Sequence, residues 1–128
     1  MDIFDSYKIV LPNIKNMMQM DIAVGLTNLT EFLEYYSANS FDLNARPGQK
    51  IKEGEPLWQT IKGNKTVEID VPEELYGRPI KAITSPINDE NGNLIGAVAI
   101  GIDLKEKSDI RHAAENLFGL IEETNSNI

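Results

Sequence analysis

Two cations stand at the start of a half-apolar stretch, Tyr76-Gly77-Arg78-Pro79-Ile80-Lys81-Ala82-Ile83-Thr84-Ser85-Pro86-Ile87, which two prolines bracket. The chemistry they could do is to hold an anion, since a guanidinium offers a planar fork to a carboxylate and an ammonium a compact point charge. On a regular strand from residue 78, Arg78 shares a face with Ile80, Ala82 and Thr84, and Lys81 shares the other with Ile83, Ser85 and Ile87. Both face one pocket only if Pro79 interrupts the strand. A cation turned inward needs an anionic partner, either an internal carboxylate or a bound organic acid or amino acid. Solvated or internally paired charges are the commoner state of Lys and Arg. Of the two, Lys81 is the candidate for the inside, because it lies within the strand, and Arg78 the candidate for the rim.

Catalytic constellations are poorly represented. There is no cysteine and a single histidine, His112, so Cys–His chemistry is excluded and a Ser–His–Asp arrangement could use only that imidazole. His112 falls in a polar part of the last predicted helix and reads as solvated. Adjacent acids such as Glu73-Glu74, Asp89-Glu90 and Glu122-Glu123 point apart on any regular element. Asp89, Glu90, Asn91 and Asn93 lack the spacing of a calcium loop. No metal site, catalytic residue or required cofactor emerges, and the chain reads as a binding module and not an enzyme.

A pocket, if present, needs walls. Trp58 shares a predicted helix face with Leu57 and Ile61, which fits either core packing or a wall over the sheet. Tyr36 and Tyr76 belong to the same aromatic set, and Ser85 has the parity of Lys81. The candidate ligand-binding residues are thus Lys81, Arg78, Trp58, Tyr76, Tyr36 and Ser85. Gly25, Ala97, Ala99 and Gly101 place small side chains on one parity of two strands, leaving room for a ligand or for close packing of a helix.

The composition bounds what such a site could serve. The chain has 128 residues, 41% hydrophobic and 25% charged, which suits one domain able to bury a core. A net charge of −8 argues against nucleic acid and against an anionic membrane surface. No apolar run approaches the roughly 18 residues of a membrane span, and Met1-Asp2-Ile3-Phe4-Asp5 does not open like a signal peptide. These features lead us to expect a cytoplasmic protein.

Apolar periodicity supplies the elements. Ile3, Tyr7, Val10, Ile14 and Met17 predict a helix over residues 1–18, kinked or split at Pro12. Residues 21–28 alternate with apolar side chains on both faces, a buried strand, and residues 31–36 form its partner, with a helix as the rival state. An irregular stretch over 37–53 follows. Pro56 to Gly63 should be a short helix, Gly63 ending it in the left-handed conformation. Residues 66–71 and 79–87 are strands, and 72–75 a helical turn. Asn91-Gly92 predicts a hairpin with positive φ tolerated at both positions, leading into a fifth strand over 94–103. Asp103 with Glu106 looks like a capping box. Ile110, Ala113, Leu117, Leu120 and Thr124 continue as a helical stripe, so residues 104–128 are expected to begin a signalling helix.

This order resembles that of PAS-like and Cache-type sensor domains. Tyr76, Gly77, Pro79, Lys81, Ala82, Pro86, Ile87, Gly96, Val98, Ile100 and Gly101 are similar to the late hairpin of the N-terminal sensory domain of soluble methyl-accepting chemotaxis proteins of Firmicutes. "IVLPNI" followed by "DIAVGLTN" is similar to the opening of those domains. The resemblance implies an α+β, PAS-like fold: a five-stranded antiparallel sheet in order 2-1-5-4-3, flanking N- and C-terminal helices, and a short helix covering one face. It implies a cytoplasmic sensory domain of a chemotaxis signal transducer. A small molecule, possible anionic ligands being organic acids and amino acids, would bind between sheet and short helix and be relayed to the C-terminal helix. The alternative is a ligand-free PAS-like module that forms a homodimer through the flanking helices. The ligand's identity and the direction of signalling are not legible.

Overall fold

The computed structural model describes residues 2–104 and Asn116, with Leu75 and Tyr76 described by their backbone. Eight elements follow in chain order: α1 (Ile3–Met17), β1 (Ile22–Thr27), β2 (Phe32–Tyr36), α2 (Pro56–Gly63), β3 (Val67–Val71), α3 (Glu73–Tyr76), β4 (Ile80–Asn88) and β5 (Leu94–Asp103). The strands form one antiparallel sheet in the order β2-β1-β5-β4-β3. This is the expected α+β, PAS-like architecture. The expected helix over 104–128, with Glu106 and His112, lies outside the described residues apart from Leu104 and Asn116.

Helix α1 starts at a capping box, Asp2 accepting from the Asp5 amide at 2.8 Å while the Asp5 carboxylate accepts from the Asp2 amide. Pro12 sits inside the helix without splitting it. Buried Leu11 holds the neighbouring turn on the sheet, and the Asn13 side chain donates to the Ile9 carbonyl at 3.2 Å. These contacts offset the bond that the proline ring removes. The face that packs is Phe4, Tyr7 and Leu11, against Ile22, Val24, Leu26 and Ile87. The predicted stripe is therefore displaced: Val10, Ile14 and Met17 remain exposed, at 46%, 43% and 79%.

Strand β1 is buried along its whole length, which explains its apolar residues on both faces. β2 is a strand and not a helix, joined to β1 by a turn in which the Asn28 side chain accepts from the amides of Thr30 and Glu31. The pairing slips between Leu26 and Thr27, so that Leu33 is an extra residue opposite β1. As a result Leu33 and Tyr36 pack toward α1, while Phe32 and Tyr35 turn to the opposite face.

Two local signals resolve differently from the expectation. α2 keeps Gly63 within the helix, and Asn64 takes the left-handed conformation at its end (φ 47°). In the β4–β5 hairpin Gly92 has positive φ and Asn91 does not. The Asp89 carboxylate instead accepts from the amides of Asn91 and Asn93, both at 2.9 Å, closing a longer turn that a two-residue hairpin would not need.

Candidate functional site

The sheet face opposite α1 is built from small side chains. The registers align Gly25, Ala99 and Thr84 in one row and Ala23, Gly101 and Ala82 in the next. Over them lies the irregular segment 37–55, followed by α2. The segment is tied down at both ends. Asp21 accepts from the amides of Asn39 and Ser40 at 2.6 and 2.7 Å and from the Ser40 hydroxyl. At the other end, the Phe32 amide donates to the Gln49 carbonyl and the Ile51 amide to the Thr30 carbonyl, both at 2.9 Å. α2 is fastened by buried Thr60, whose hydroxyl meets that of Thr84, and by the Thr84 hydroxyl reaching the Pro56 carbonyl.

Between floor and cover is a cavity of about 400 Å³, within the range of roughly 300–1,000 Å³ typical of small-molecule sites. Ala23, Gly25, Ala82, Ala99 and Gly101 form its floor, Phe32 and Tyr35 one wall, Ile69 and Val71 another, and Leu43 and Leu57 its cover. Small side chains thus floor the cavity, and at its glycines they also admit closely packed neighbours. Adding a Cβ at Gly101 would bring it to 2.9 Å from Leu43 Cδ1, and one at Gly25 to 3.1 Å from Phe32 Cε1. Lys52, Glu55 and Gln49 supply polar groups to the lining.

The Tyr35 hydroxyl accepts from the Leu43 amide at 2.7 Å and bonds to Asp42, while Arg46 lies 5.9 Å above its ring. Burial, with the Asp42 carboxylate adding to it, pushes the phenol up to about 12. The Arg46 guanidinium, 2.8 Å away, holds the Asp42 carboxyl well below the usual carboxylate range. A raised phenol favours the neutral form in the folded state. Its stabilisation is therefore whole below the unfolded value near 10 and is lost as pH rises through 12. An ultraviolet titration should show one tyrosine ionising near 12, with a fall in stability across pH 10–12 that Tyr35→Phe removes. Ionisation of all four tyrosines near 10 would contradict this.

Of the residues singled out from the sequence, those whose side chains are described lie elsewhere. Lys81 points away from the cavity, where its ammonium is 3.5 Å from Glu68. Arg78 bonds Asp103 at 2.7 Å at the end of the floor. Both cations are thus paired with internal carboxylates. Ser85 is exposed and bonded to Thr66, and Tyr36 packs toward α1. Trp58 is half-buried, with Lys62 5.9 Å above its ring, and its neighbour Leu57 faces the cavity instead. The backbone of Tyr76 ends α3, and its side chain lies outside the described residues. In each strand the immediate neighbour takes the place: Tyr35 for Tyr36, Thr84 for Ser85, Ile80 and Ala82 for Lys81. Asp103, read as a helix cap, also receives the Arg78 guanidinium and is 3% exposed.

The fold and its cavity define a PAS-like α+β domain with room for a small ligand. No protein-family model matches the chain. It is 35% identical over 116 residues to the Bacillus subtilis (strain 168) protein YfmS, which is named as a sensory transducer. The match takes in 91% of this chain and 41% of YfmS, so the chain spans about two-fifths of the relative's length. Among solved structures, the Escherichia coli DhaR(N)–DhaL complex contains a chain similar in fold, with a TM-score of 0.61 and 17% identity over 97% of this chain and 51% of that one. A sensory box sensor histidine kinase from Vibrio cholerae is a looser likeness, with a TM-score of 0.48 and 11% identity over 78% and 91% of the two chains.

Proposed function

We propose that this chain is the small-molecule sensory domain of a cytoplasmic chemotaxis signal transducer, binding its ligand between the sheet and α2. The observation that carries the reading is the cavity of about 400 Å³ over a floor of alanines and glycines. The similarity to part of a protein named as a sensory transducer supports the signalling context. Among the described residues no helix is long and apolar enough to cross a membrane.

A relay would start at the floor. Gly101 and Ile80 line the cavity, and two residues beyond Gly101 the chain reaches Asp103, held by Arg78. The Leu104 amide then donates to the Pro79 carbonyl at 2.8 Å. A ligand that spreads β4 from β5 would alter this joint and so the direction in which the chain continues. For that, it must bind one arrangement of the joint better than the other.

The test is a thermal-shift screen of organic acids, amino acids and other metabolites, with hits measured by isothermal titration. Ala99→Leu fills the floor and should weaken any true ligand more than tenfold, as should Ala82→Leu if the first variant folds poorly. Lys81→Ala should leave binding unchanged, because its side chain lies on the other face. No hit across the library, or hits indifferent to both floor variants, would sink the proposal.

The exposed apolar face of α1 favours a second reading, a homodimer-forming module. Val10, Ile14 and Met17 line up along the helix and lie open to solvent, an arrangement that a second copy could cover by two-fold pairing. Sedimentation should show a dimer that Ile14→Glu converts to monomer. A monomer at high micromolar concentration would end this reading without touching the first.

A further inference from the structure

We propose that the cavity accepts a zwitterion with an apolar body, an α-amino acid whose side chain is aromatic or branched aliphatic. This rests on the reading of the cavity as a ligand site and names the ligand's chemistry. Among the described residues the deep part carries no charged side chain: Ala23, Gly25, Ala82, Ala99, Gly101 and Ile80 form its apolar floor, beside the hydroxyls of Thr84 and Tyr35. Its hydroxyls are already engaged: Thr84 with Thr60 and the Pro56 carbonyl, Tyr35 with the Leu43 amide. A charge seated there would lose its water and gain no counter-charge. An apolar group seated there instead exchanges water for contact.

The charged groups of the lining lie at its outer margin and have opposite sign. Lys52 and Glu55 are both exposed and sit on one turn, closed by the Glu55 amide donating to the Lys52 carbonyl at 3.3 Å. Gly54 between them takes a φ of 85°, which lets the chain turn that sharply. Neither side chain enters an ion pair with a described residue, whereas the other cations near this face, Arg46 and Arg78, are committed to Asp42 and Asp103. Glu55 precedes α2 but makes no side-chain cap to it. Gln49 belongs to the same lining. A ligand ammonium beside Glu55 and a carboxylate beside Lys52 would answer both charges, while the ligand's apolar body lies on the floor. An acid or an amine alone answers one.

Three probes of one shape separate the possibilities: L-phenylalanine, 3-phenylpropionate and 2-phenylethylamine, titrated at low ionic strength. The zwitterion should bind about tenfold more tightly than either single-charge analogue, the effect of one charge-assisted hydrogen bond. Lys52→Met should erase its advantage over the amine, and Glu55→Gln its advantage over the acid. Equal binding of all three, binding unmoved by both rim variants, or no binding of any of them would overturn the inference. If equal binding is abolished by Ala99→Leu, the cavity still binds and only the zwitterion fails. If phenylalanine binding survives Ala99→Leu and Ala82→Leu, the ligand is not in the cavity and the underlying reading fails with it.

Discussion

Replacing Gly96 by alanine should lower the unfolding free energy by about 3 kcal/mol, the upper part of the range for overpacking a closed interior. Gly96 is buried in β5 opposite Ile87, close to the end of β1. A Cβ there would overlap the Thr27 carbonyl oxygen and stand 3.0 Å from Phe4 Cε1 on α1. The phenyl ring can turn aside, but the carbonyl belongs to a strand fixed on both sides, by β2 and by β5. Relief therefore requires β1 and β5 to part at the point where α1 rests. Urea denaturation should show the midpoint falling with little change in slope. A midpoint matching the unsubstituted protein would mean that the strands separate here at no cost.

Substituting Arg78 by alanine should cost about 2–3 kcal/mol. Removing one partner of a fully buried pair costs roughly 3–5 kcal/mol, because the survivor stays buried and uncompensated. Here Asp103 is 3% exposed but Arg78 is 41% exposed, so water screens part of the interaction. Combining Arg78→Ala with Asp103→Asn should cost less than the sum of the two single changes, since each removes one side of the same ion pair. Strict additivity would show that the two side chains do not act on each other. The same pair lies between the cavity floor and Leu104, so its loss should also blunt any change that a ligand imposes on the following residues.

The strands were legible because alternation and turn chemistry agree along β1, β3, β4 and β5. The site was less so, and the reasons are specific. Sequence parity treats β2 as regular, yet the extra residue Leu33 puts Phe32 and Tyr35, three apart, on one face. That bulge turns Tyr36 toward α1 and Tyr35 toward the cavity. In β4 the parity of Lys81 was readable but not which parity faced the cover, since both faces carry isoleucine and both are partly buried. A one-residue choice of this kind exchanges every side chain of a strand. On α1 two stripes have helical spacing, Phe4, Tyr7 and Leu11 beside Val10, Ile14 and Met17, and only contact with the sheet distinguishes them. Leu43, Ala45, Gln49 and Lys52 come from an irregular segment without a period to read. The small residues were the one signal that pointed at the cavity directly, because Gly25, Ala99 and Gly101 share its floor.

The most direct test of the central claim is an amide chemical-shift map of the isotope-labelled chain, recorded with and without the strongest ligand from the metabolite screen. Binding in the cavity predicts shifts concentrated at Ala23, Gly25, Ala82, Ala99 and Gly101, extending through Asp103 to Leu104, with Val10 and Ile14 unmoved. Shifts confined to α1 or to the face bearing Lys81 and Ser85 would contradict it.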